Sequence, residues 1–412
     1  MADAIEAPPE APSGGMPHLS IAALGLVTIA AYGSGFYAFG VLLGPILDDT
    51  GWSEALVTAS FSASTLIGAL GAAQAGRLID QRGARSVMLV GGLAGCVLFA
   101  ASSAATNQFL FFAAYALGGG LLSASGFYHV TQSAAAKIAT ADPARAIMLL
   151  TLYGAFAGPI YLPATGFLVE ATDWRTTIVV LAMLSAGGFV LAAAAVGNPR
   201  RVAAPPGAAP SVRQALRDPV ARGMLIASFV GGIGLSTMMV YQVPLMVAAG
   251  LSLSTAASIS GIRGFAQFAG RAGIIPIIPR FGAKRVLVGT YALAAVSALL
   301  LAFVGNVAIA LLYVVLAGIA IGIWSPMAAI YAHQLVPTHR VATLLGTERM
   351  IGGLGGAAGP LVAGIVAEAS GSRGPTILIA LVGTVLAAVI LGFYPVRASD
   401  EVTPRAQPTS GG

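Results

Sequence analysis

The sequence predicts an all-α membrane protein with twelve transmembrane helices in two related six-helix halves. Three observations predict this fold class: the composition, the length of the apolar runs and an internal repeat. Of the 412 residues, 57% are hydrophobic and only 9% are charged, whereas an ordinary soluble domain has about 25% charged residues. A soluble fold could not bury this much apolar surface.

The apolar residues form long runs separated by short polar breaks. A spanning helix needs about 20 mostly apolar residues, and runs of this length exclude the short alternating strands of a membrane barrel. We therefore assign one helix to each run. The runs cover 20–47, 54–79, 86–105, 108–136, 145–171, 174–197, 221–247, 253–279, 285–304, 307–335, 341–369 and 375–395.

Two landmarks recur along the chain and indicate the internal repeat. Gly51 and Gly83 flank run two, and Gly250 and Gly282 flank run eight at an offset of 199 residues. A GxxxGP element in run five recurs in run eleven at an offset of 201 residues, at Gly154–Pro159 and Gly355–Pro360. Two parallel halves of this kind hold their substrate near the membrane midplane, between the halves.

The distribution of basic residues predicts the orientation. Of the 21 Lys and Arg residues, 16 lie in breaks or at the ends of runs on one side of the predicted spans, and such residues are retained on the cytoplasmic side. We therefore expect a multi-pass inner (cytoplasmic) membrane protein with both termini cytoplasmic. The charges are scattered through short loops, so the basic pI does not indicate nucleic-acid binding. The predicted segments are a tail at 1–18, halves at 19–197 and 221–395, a cytoplasmic linker at 198–220 and a tail at 396–412.

Charged residues inside the runs identify a candidate site. A charge at membrane depth costs at least about 2.5–3.5 kcal/mol, so it normally faces a cavity or a partner. Arg263 lies near the middle of run eight, and Arg349 lies in run eleven beside Glu348. Because a guanidinium matches a carboxylate with two hydrogen bonds and stays charged, we predict that both arginines bind an anion. A structural pair for Arg263 and a charge pair between helices for Arg349 are the alternatives.

Aromatic and polar residues at similar depth are candidates for the rest of the pocket. Tyrosine hydroxyls can orient carboxylate oxygens while their rings exclude water, and helix packing or an interfacial belt is the alternative for each ring. Glu348 and His129 are candidates for proton coupling, with a local hydrogen bond as the alternative for His129. The aromatic candidates are Tyr32, Tyr37, Tyr128, Tyr153 and Trp324.

The loop between runs two and three carries a specific motif. It reads Gly76-Arg77-Leu78-Ile79-Asp80-Gln81-Arg82-Gly83-Ala84-Arg85 and resembles the motif that the major facilitator superfamily (MFS) has between helices two and three. The resemblance implies the MFS fold. It also implies a gating role, holding the cytoplasmic helix ends in the outward-facing state, for Gly76, Arg77, Asp80, Gly83 and Arg85. In the second half, Pro279 stands where Asp80 would be, so the acid is not repeated.

Other stretches resemble the monocarboxylate porter and oxalate:formate antiporter branch of that superfamily, across nearly all of 19–395. They are Tyr37–Gly40, Gly51–Ser53, Arg85–Gly92, Asp173–Arg175 and Gly261–Gly264. In that branch an arginine of helix eight binds the substrate carboxylate, which implies this role for Arg263. A basic residue of helix eleven corresponds to Arg349, and the branch's box of tyrosines and a tryptophan corresponds to Tyr32, Tyr128, Tyr153 and Trp324.

The resemblance does not extend to the proton route of animal monocarboxylate carriers. Those carriers use an aspartate in helix eight and a lysine in helix one, and the corresponding places here hold Ile259 and Val41. The two GxxxGP elements, in turn, resemble the helix-five motif of drug:proton antiporters. Close packing of small residues is the alternative explanation for them.

We therefore expect a secondary active transporter of a small organic anion, a monocarboxylate, that works by alternating access. Its expected partners are the anionic substrate, the lipid bilayer and either protons or a counter-anion, and we expect a monomer with no cofactor and no metal. The sequence has no G-x-x-x-x-G-K-[ST] phosphate-binding loop, and no enzyme chemistry is predicted. The alternative is a drug or metabolite exporter, a proton antiporter of the same fold.

Overall fold

The computed structural model describes residues 17–196, 219–274, 276–336 and 338–394. The predicted tails and linker lie almost entirely outside the described residues. All regular secondary structure in the described ranges is helical, which confirms the all-α prediction. The first six long helices are α1 (His18–Thr50), α2 (Glu54–Arg82), α3 (Ala84–Ser102), α4 (Gln108–Ile138), α5 (Pro143–Ala171) and α6 (Trp174–Val196).

Six more long helices follow in the second part of the chain. They are α7 (Pro219–Ala248), α8 (Leu253–Gly273), α9 (Ala283–Phe303), α10 (Val307–Leu335), α11 (Thr338–Ser370) and α12 (Thr376–Phe393). Of the helices that the structure describes, 11 are long and apolar enough to cross a membrane. Helix α8 is not among them, because Arg263, Gln267 and Arg271 lower its hydropathy.

The chain divides into two compact units. The first contains the described residues of Met1–Trp52 and Ala63–Pro205, and the second contains those of Ser53–Ser62 and Pro206–Gly412. Helix α2 therefore begins with residues that pack in the second unit and continues with residues that pack in the first. We refer to Ser53–Ser62 as the α2 arm.

The repeated glycines form equivalent turns in the two halves of the sequence. Gly51 ends α1 with φ 64° and Gly250 follows α7 with φ 101°, while Gly83 and Gly282 precede α3 and α9 with φ 86° and 75°. Only glycine adopts this left-handed region without steric cost. The offset of 199 residues thus reflects a backbone requirement that both halves share.

Helix caps repeat at the same offset. Asn107 accepts hydrogen bonds from backbone N–H groups at the start of α4, and Asn306 does the same at the start of α10. Ser252 caps α8, and the hydroxyl of Ser53 accepts from the backbone N–H of Leu56 at the start of α2. Capping side chains accept hydrogen bonds from first-turn N–H groups that have no partner within the helix. These residues therefore fix equivalent helix starts in the two halves of the sequence.

The two GxxxGP elements differ in structure. In α5, regular α-helix is interrupted at Ala155 and Phe156, between Gly154 and Ala157. Helix α11 continues through its element and packs closely on α7, because Gly355 contacts the backbone carbonyl of Phe229. One turn later, a Cβ on Gly359 would lie 2.5 Å from the carbonyl oxygen of Ile233. In α11 the small residues therefore serve helix packing.

One end of the first unit is held by a polar and aromatic cluster. The indole N–H of Trp174 donates to Asp49 Oδ2 at 2.9 Å, and the Arg175 guanidinium lies 4.3 Å over the Trp174 ring. Arg175 Nη1 also donates to the carbonyl of Ala105 at 3.0 Å. The cluster joins the ends of α1, α3 and α6, and the ring of Trp52 packs 6.3 Å from that of Trp174.

Candidate functional site

Arg263 is buried inside the second unit. Its side chain is 1% exposed, and Nη1 donates to Gln242 Oε1 of α7 at 3.1 Å. The hydroxyl of Tyr313, on α10, donates to the same oxygen at 3.2 Å. The acceptor of this hydrogen bond is thus a neutral amide oxygen rather than a carboxylate. We call Arg263, Gln242 and Tyr313 the amide cluster.

The orientation of Gln242 is fixed by the backbone. Its Nε2 donates to the carbonyl of Met239 at 3.0 Å, so Oε1 is the atom directed to Arg263 and Tyr313. Gln242 is 1% exposed and Tyr313 is fully buried. Buried amides and hydroxyls are stabilised when they are hydrogen-bonded, and this pair holds the guanidinium at a defined place between α7, α8 and α10.

Close contact between α8 and α10 positions the backbone of Arg263. A Cβ on Gly318 of α10 would lie 2.6 Å from the carbonyl oxygen of Arg263, and Gly322 lies against the backbone of Gln267 one turn later. Glycines let helix backbones approach in membranes. The buried face of α8 repeats at three- and four-residue intervals and contains Ala256, Ile259, Ser260, Arg263, Gln267 and Gly270.

Glu348 and Arg349 lie on different faces of α11. Glu348 is 3% exposed, and its Oε1 accepts from the hydroxyl of Ser228 of α7 at 2.8 Å. Arg349 is exposed. Successive residues of an α-helix point about 100° apart, which explains why neighbouring side chains reach such different surroundings.

The indole N–H of Trp324 is already used within the protein. Trp324 of α10 donates from Nε1 to the hydroxyl of Tyr291 of α9 at 2.8 Å. Tyr291 is 2% exposed and its ring lies against Gly231 of α7. Trp324 therefore presents its ring, rather than its N–H group, as a possible contact surface.

The first unit brings two of the predicted tyrosines together. The ring of Tyr32 stacks on Phe127 with centroids 3.7 Å apart and lies 5.1 Å from the ring of Tyr128. The Tyr128 hydroxyl donates to the carbonyl of Thr151 at 3.3 Å. His129 Nε2 lies 3.3 Å from the carbonyl oxygen of Ala124, where a protonated Nε2 would donate.

The other two predicted tyrosines contact different residues. The ring of Tyr37 meets Phe36 edge-on at 5.4 Å, and its atoms lie against Gly158. Tyr153 is 38% exposed and its ring lies against Gly25. Of the predicted aromatic box, Tyr32 and Tyr128 therefore lie in ring contact, and Tyr153 packs on α1.

The predicted gating loop forms the corner between α2 and α3. Gly83 takes φ 86°, and its N–H donates to the carbonyl of Ile79 at 3.0 Å. Arg77 and Arg85 are exposed and Gly76 is half-buried. The side chain of Asp80 lies outside the described part of the structure, so its gating role stays a prediction.

Several partners in these clusters were not predicted. Tyr313, Tyr291 and Ser228 lie in apolar runs, where a single hydroxyl is an ordinary packing residue. An amide inside an apolar run is a usable sequence signal, and Gln242 carries it. Pairing each polar residue with its partner required the helix neighbours that only the structure provides.

Comparison with known proteins gives the family and the fold. The model of the Major Facilitator Superfamily matches residues 24–347 and 250–411, and among curated proteins none matches the chain significantly. A mutant of the nucleoside transporter NupG has a TM-score of 0.80 at 14% identity, over 91% of this chain and 99% of that chain.

Two further solved structures are also similar. A bacterial homologue of the human lysosomal transporter Spinster, in an inward-facing and occupied conformation, has a TM-score of 0.68 at 15% identity, over 92% of this chain and 95% of that one. The D-xylose–proton symporter has a TM-score of 0.67 at 14% identity, over 92% of this chain and 98% of that one. At these identities the likeness shows the fold alone.

Proposed function

Because the chain belongs to the Major Facilitator Superfamily, it is a multi-pass membrane transporter and not an enzyme, and we propose that it carries a small organic anion, a monocarboxylate. The observation that supports this substrate class is the buried Arg263 guanidinium, whose Nη1 contacts a neutral amide oxygen. A permanent cation of this kind inside a membrane protein is costly and normally serves a pathway or a ligand. A substrate carboxylate matches the planar guanidinium with two hydrogen bonds.

The amide cluster supports selection of a carboxylate. Gln242 accepts from the guanidinium and is itself held by the Tyr313 hydroxyl of α10, which limits the rotation of the guanidinium before the substrate arrives. A preorganised fork binds a planar carboxylate with less ordering cost than a flexible side chain. Small substrates such as lactate, pyruvate, formate and oxalate present the required group.

We propose Glu348 as the proton carrier and Arg349, Tyr32, Tyr37, Tyr128, Tyr153 and Trp324 as contributors to the substrate path. Glu348 is a buried carboxyl whose Oε1 accepts one hydroxyl hydrogen bond. Ionisable residues inside transmembrane helices commonly form proton relays in transporters. His129, which contacts a backbone carbonyl, is the second candidate. Exchange against a counter-anion is the alternative coupling mode.

Uptake into proteoliposomes tests the substrate class. The purified chain would be reconstituted and given labelled lactate, pyruvate, formate or oxalate, with and without a pH gradient. Arg263→Ala should abolish uptake and Arg263→Lys should restore little of it, because an ammonium lacks the bidentate fork. Arg271→Ala, which removes a half-buried arginine from the same helix, is the matched control and should transport like the parent.

A transporter of a different substrate class would take up no carboxylate and would not depend on Arg263. The neighbours described as a nucleoside transporter and a xylose symporter make neutral cargo the natural competitor, together with drugs and metabolites exported in exchange for protons. If no carboxylate enters, or if Arg263→Ala transports as well as the parent, the anion proposal is rejected. The exporter then becomes the leading function.

A further inference from the structure

A groove of about 270 Å³ lies within the first unit, between α2, α3 and α4. One face of α2 lines it, because Gly71, Ala75, Leu78 and Arg82 follow one another at intervals of three or four residues. At 1.5 Å per residue this face is roughly 16 Å long. The groove is thus elongated along the helix axis and ends at a cation.

The walls of the groove are suited to hydrocarbon. Val90 of α3 and Leu78 of α2 line it and are 74% and 37% exposed. Apolar side chains gain free energy when they leave water for an apolar environment. Two exposed apolar residues beside a cleft in a membrane-spanning unit therefore match a lipid chain better than an aqueous solute.

The charged end of the groove lies at the corner between α2 and α3. Arg82 is exposed, and the hydroxyl of Ser86 donates to its carbonyl at 3.2 Å, which ties the corner together. The distribution of Lys and Arg predicts that this corner is cytoplasmic. Anionic lipids of the cytoplasmic leaflet attract basic residues, and basic pockets between transmembrane helices on that side bind anionic headgroups.

We propose that this groove binds one anionic phospholipid of the cytoplasmic leaflet. The phosphate lies at the Arg82 guanidinium, which can donate two hydrogen bonds to it, and one acyl chain lies along the apolar face of α2 beside Val90. The site is built from the first unit, whereas the amide cluster belongs to the second. The two sites share no residue, so this proposal does not depend on which substrate the transporter carries.

Native mass spectrometry of the purified full chain tests this site. The protein would be offered equal amounts of phosphatidylglycerol and phosphatidylcholine with the same acyl chains, and the ratio of retained lipids would be measured. The parent should retain phosphatidylglycerol preferentially. Arg82→Gln should reduce the preference about fivefold, the factor that corresponds to about 1 kcal/mol for one basic residue near an anionic headgroup.

Two further variants separate the site from general surface charge. Arg77→Gln removes the same charge from an exposed residue of α2 that does not line the groove, and it should leave the ratio unchanged. Val90→Trp should fill the groove mouth and lower retention of both lipids. Equal effects of the two arginine variants, full retention by Val90→Trp or no retained lipid in the parent would each overturn the proposal.

Discussion

Arg373 and Glu54 form an ion pair in the second unit, with Arg373 Nε 3.3 Å from each carboxylate oxygen of Glu54. Their side chains are 23% and 14% exposed. This pair joins the start of α2 to the turn between α11 and α12. Ion pairs between exposed residues contribute little to stability. Because this pair is partly buried, it holds the α2 arm more strongly than an exposed pair would.

A second contact holds the same arm. Glu368 Oε2 accepts from the Ser53 hydroxyl at 2.6 Å and from the backbone N–H of Ala55 at 2.8 Å. A carboxylate at a helix N-terminus is favoured by the free N–H groups and by the helix dipole. Helix α11 thus supplies the cap for the first turn of α2.

We expect the α2 arm to separate from Arg373 in each transport cycle, because alternating access moves helix ends apart. A thiol cross-linker applied to Glu54→Cys/Arg373→Cys should lower uptake about tenfold or more, since a locked gate limits turnover. A cleavable linker should restore uptake on reduction. Each single cysteine variant is the control, and the native Cys96 is buried. Full uptake by the cross-linked protein would show that the arm stays in place.

Gly364→Ala should destabilise the second unit. A Cβ at this position would overlap the Thr58 hydroxyl and lie 3.1 Å from the carbonyl oxygen of Glu54, and overpacking costs about 1–3 kcal/mol. Gly353→Ala on the same helix is the control, because a Cβ there meets no described heavy atom within 4 Å. Thermal unfolding in detergent should show a lower midpoint for Gly364→Ala alone. Equal midpoints would contradict the close contact.

Gln242→Glu should convert the amide cluster into an internal ion pair. A carboxylate 3.1 Å from Arg263 would occupy the guanidinium and exclude the substrate, so anion uptake should fall about tenfold or more while the fold is kept. Gln242→Met, which removes the hydrogen bonds without adding charge, should retain more uptake. If Gln242→Glu transports like the parent, Arg263 does not bind the anion.

Glu348→Gln tests proton coupling through a variant of nearly the same shape. The amide oxygen can still accept from Ser228, whose hydroxyl now lies 2.8 Å from Oε1, but the side chain no longer titrates. We expect the stimulation of uptake by a pH gradient to disappear while exchange of substrate across the membrane continues. Ser228→Ala keeps the carboxyl and should keep the stimulation. A normal pH response in Glu348→Gln would exclude this residue as the carrier.

Asp173 caps the start of α6, because its Oδ1 accepts from the backbone N–H groups of Arg175 and Thr176. We expect acid to remove the stabilising effect of this cap. Backbone and hydroxyl hydrogen bonds from Thr176 hold the pKa of Asp173 below its ordinary value. A depressed pKa in the folded state means that the contribution to stability is present above about pH 4, the ordinary value for Asp, and is lost as pH falls further. The melting temperature of the parent should therefore fall more steeply below pH 4 than that of Asp173→Asn. Parallel curves would contradict this.

The fold was largely predictable because its determinants are local. Apolar run length indicates the helices, and the glycines at Gly51 and Gly250 mark equivalent turns because each needs a positive φ. Helix α8 was predicted from the run at 253–279, although α8 is not among the helices that are apolar enough to cross a membrane. The packing of the α2 arm against Glu368 and Arg373 has no such signal, because the partners lie more than three hundred residues away.

The candidate site was predictable only in part. A charge in an apolar run singles out Arg263 and Glu348 without any knowledge of neighbours, and the structure buries both. Their roles in transport stay predictions. Periodicity indicates which face of a helix is buried but not which helix covers it, so the contact of Glu348 with Ser228, 120 residues earlier, could not be inferred.

The fastening of the α2 arm has a consequence for synthesis of the chain. Glu54 is made 319 residues before Arg373, which at about 5–20 residues per second is an interval of roughly 15–60 s. During that time the start of α2 has neither its ion-pair partner nor its carboxylate cap. A chain that stops short of α11 therefore has an α2 helix start without its cap and without its ion-pair partner.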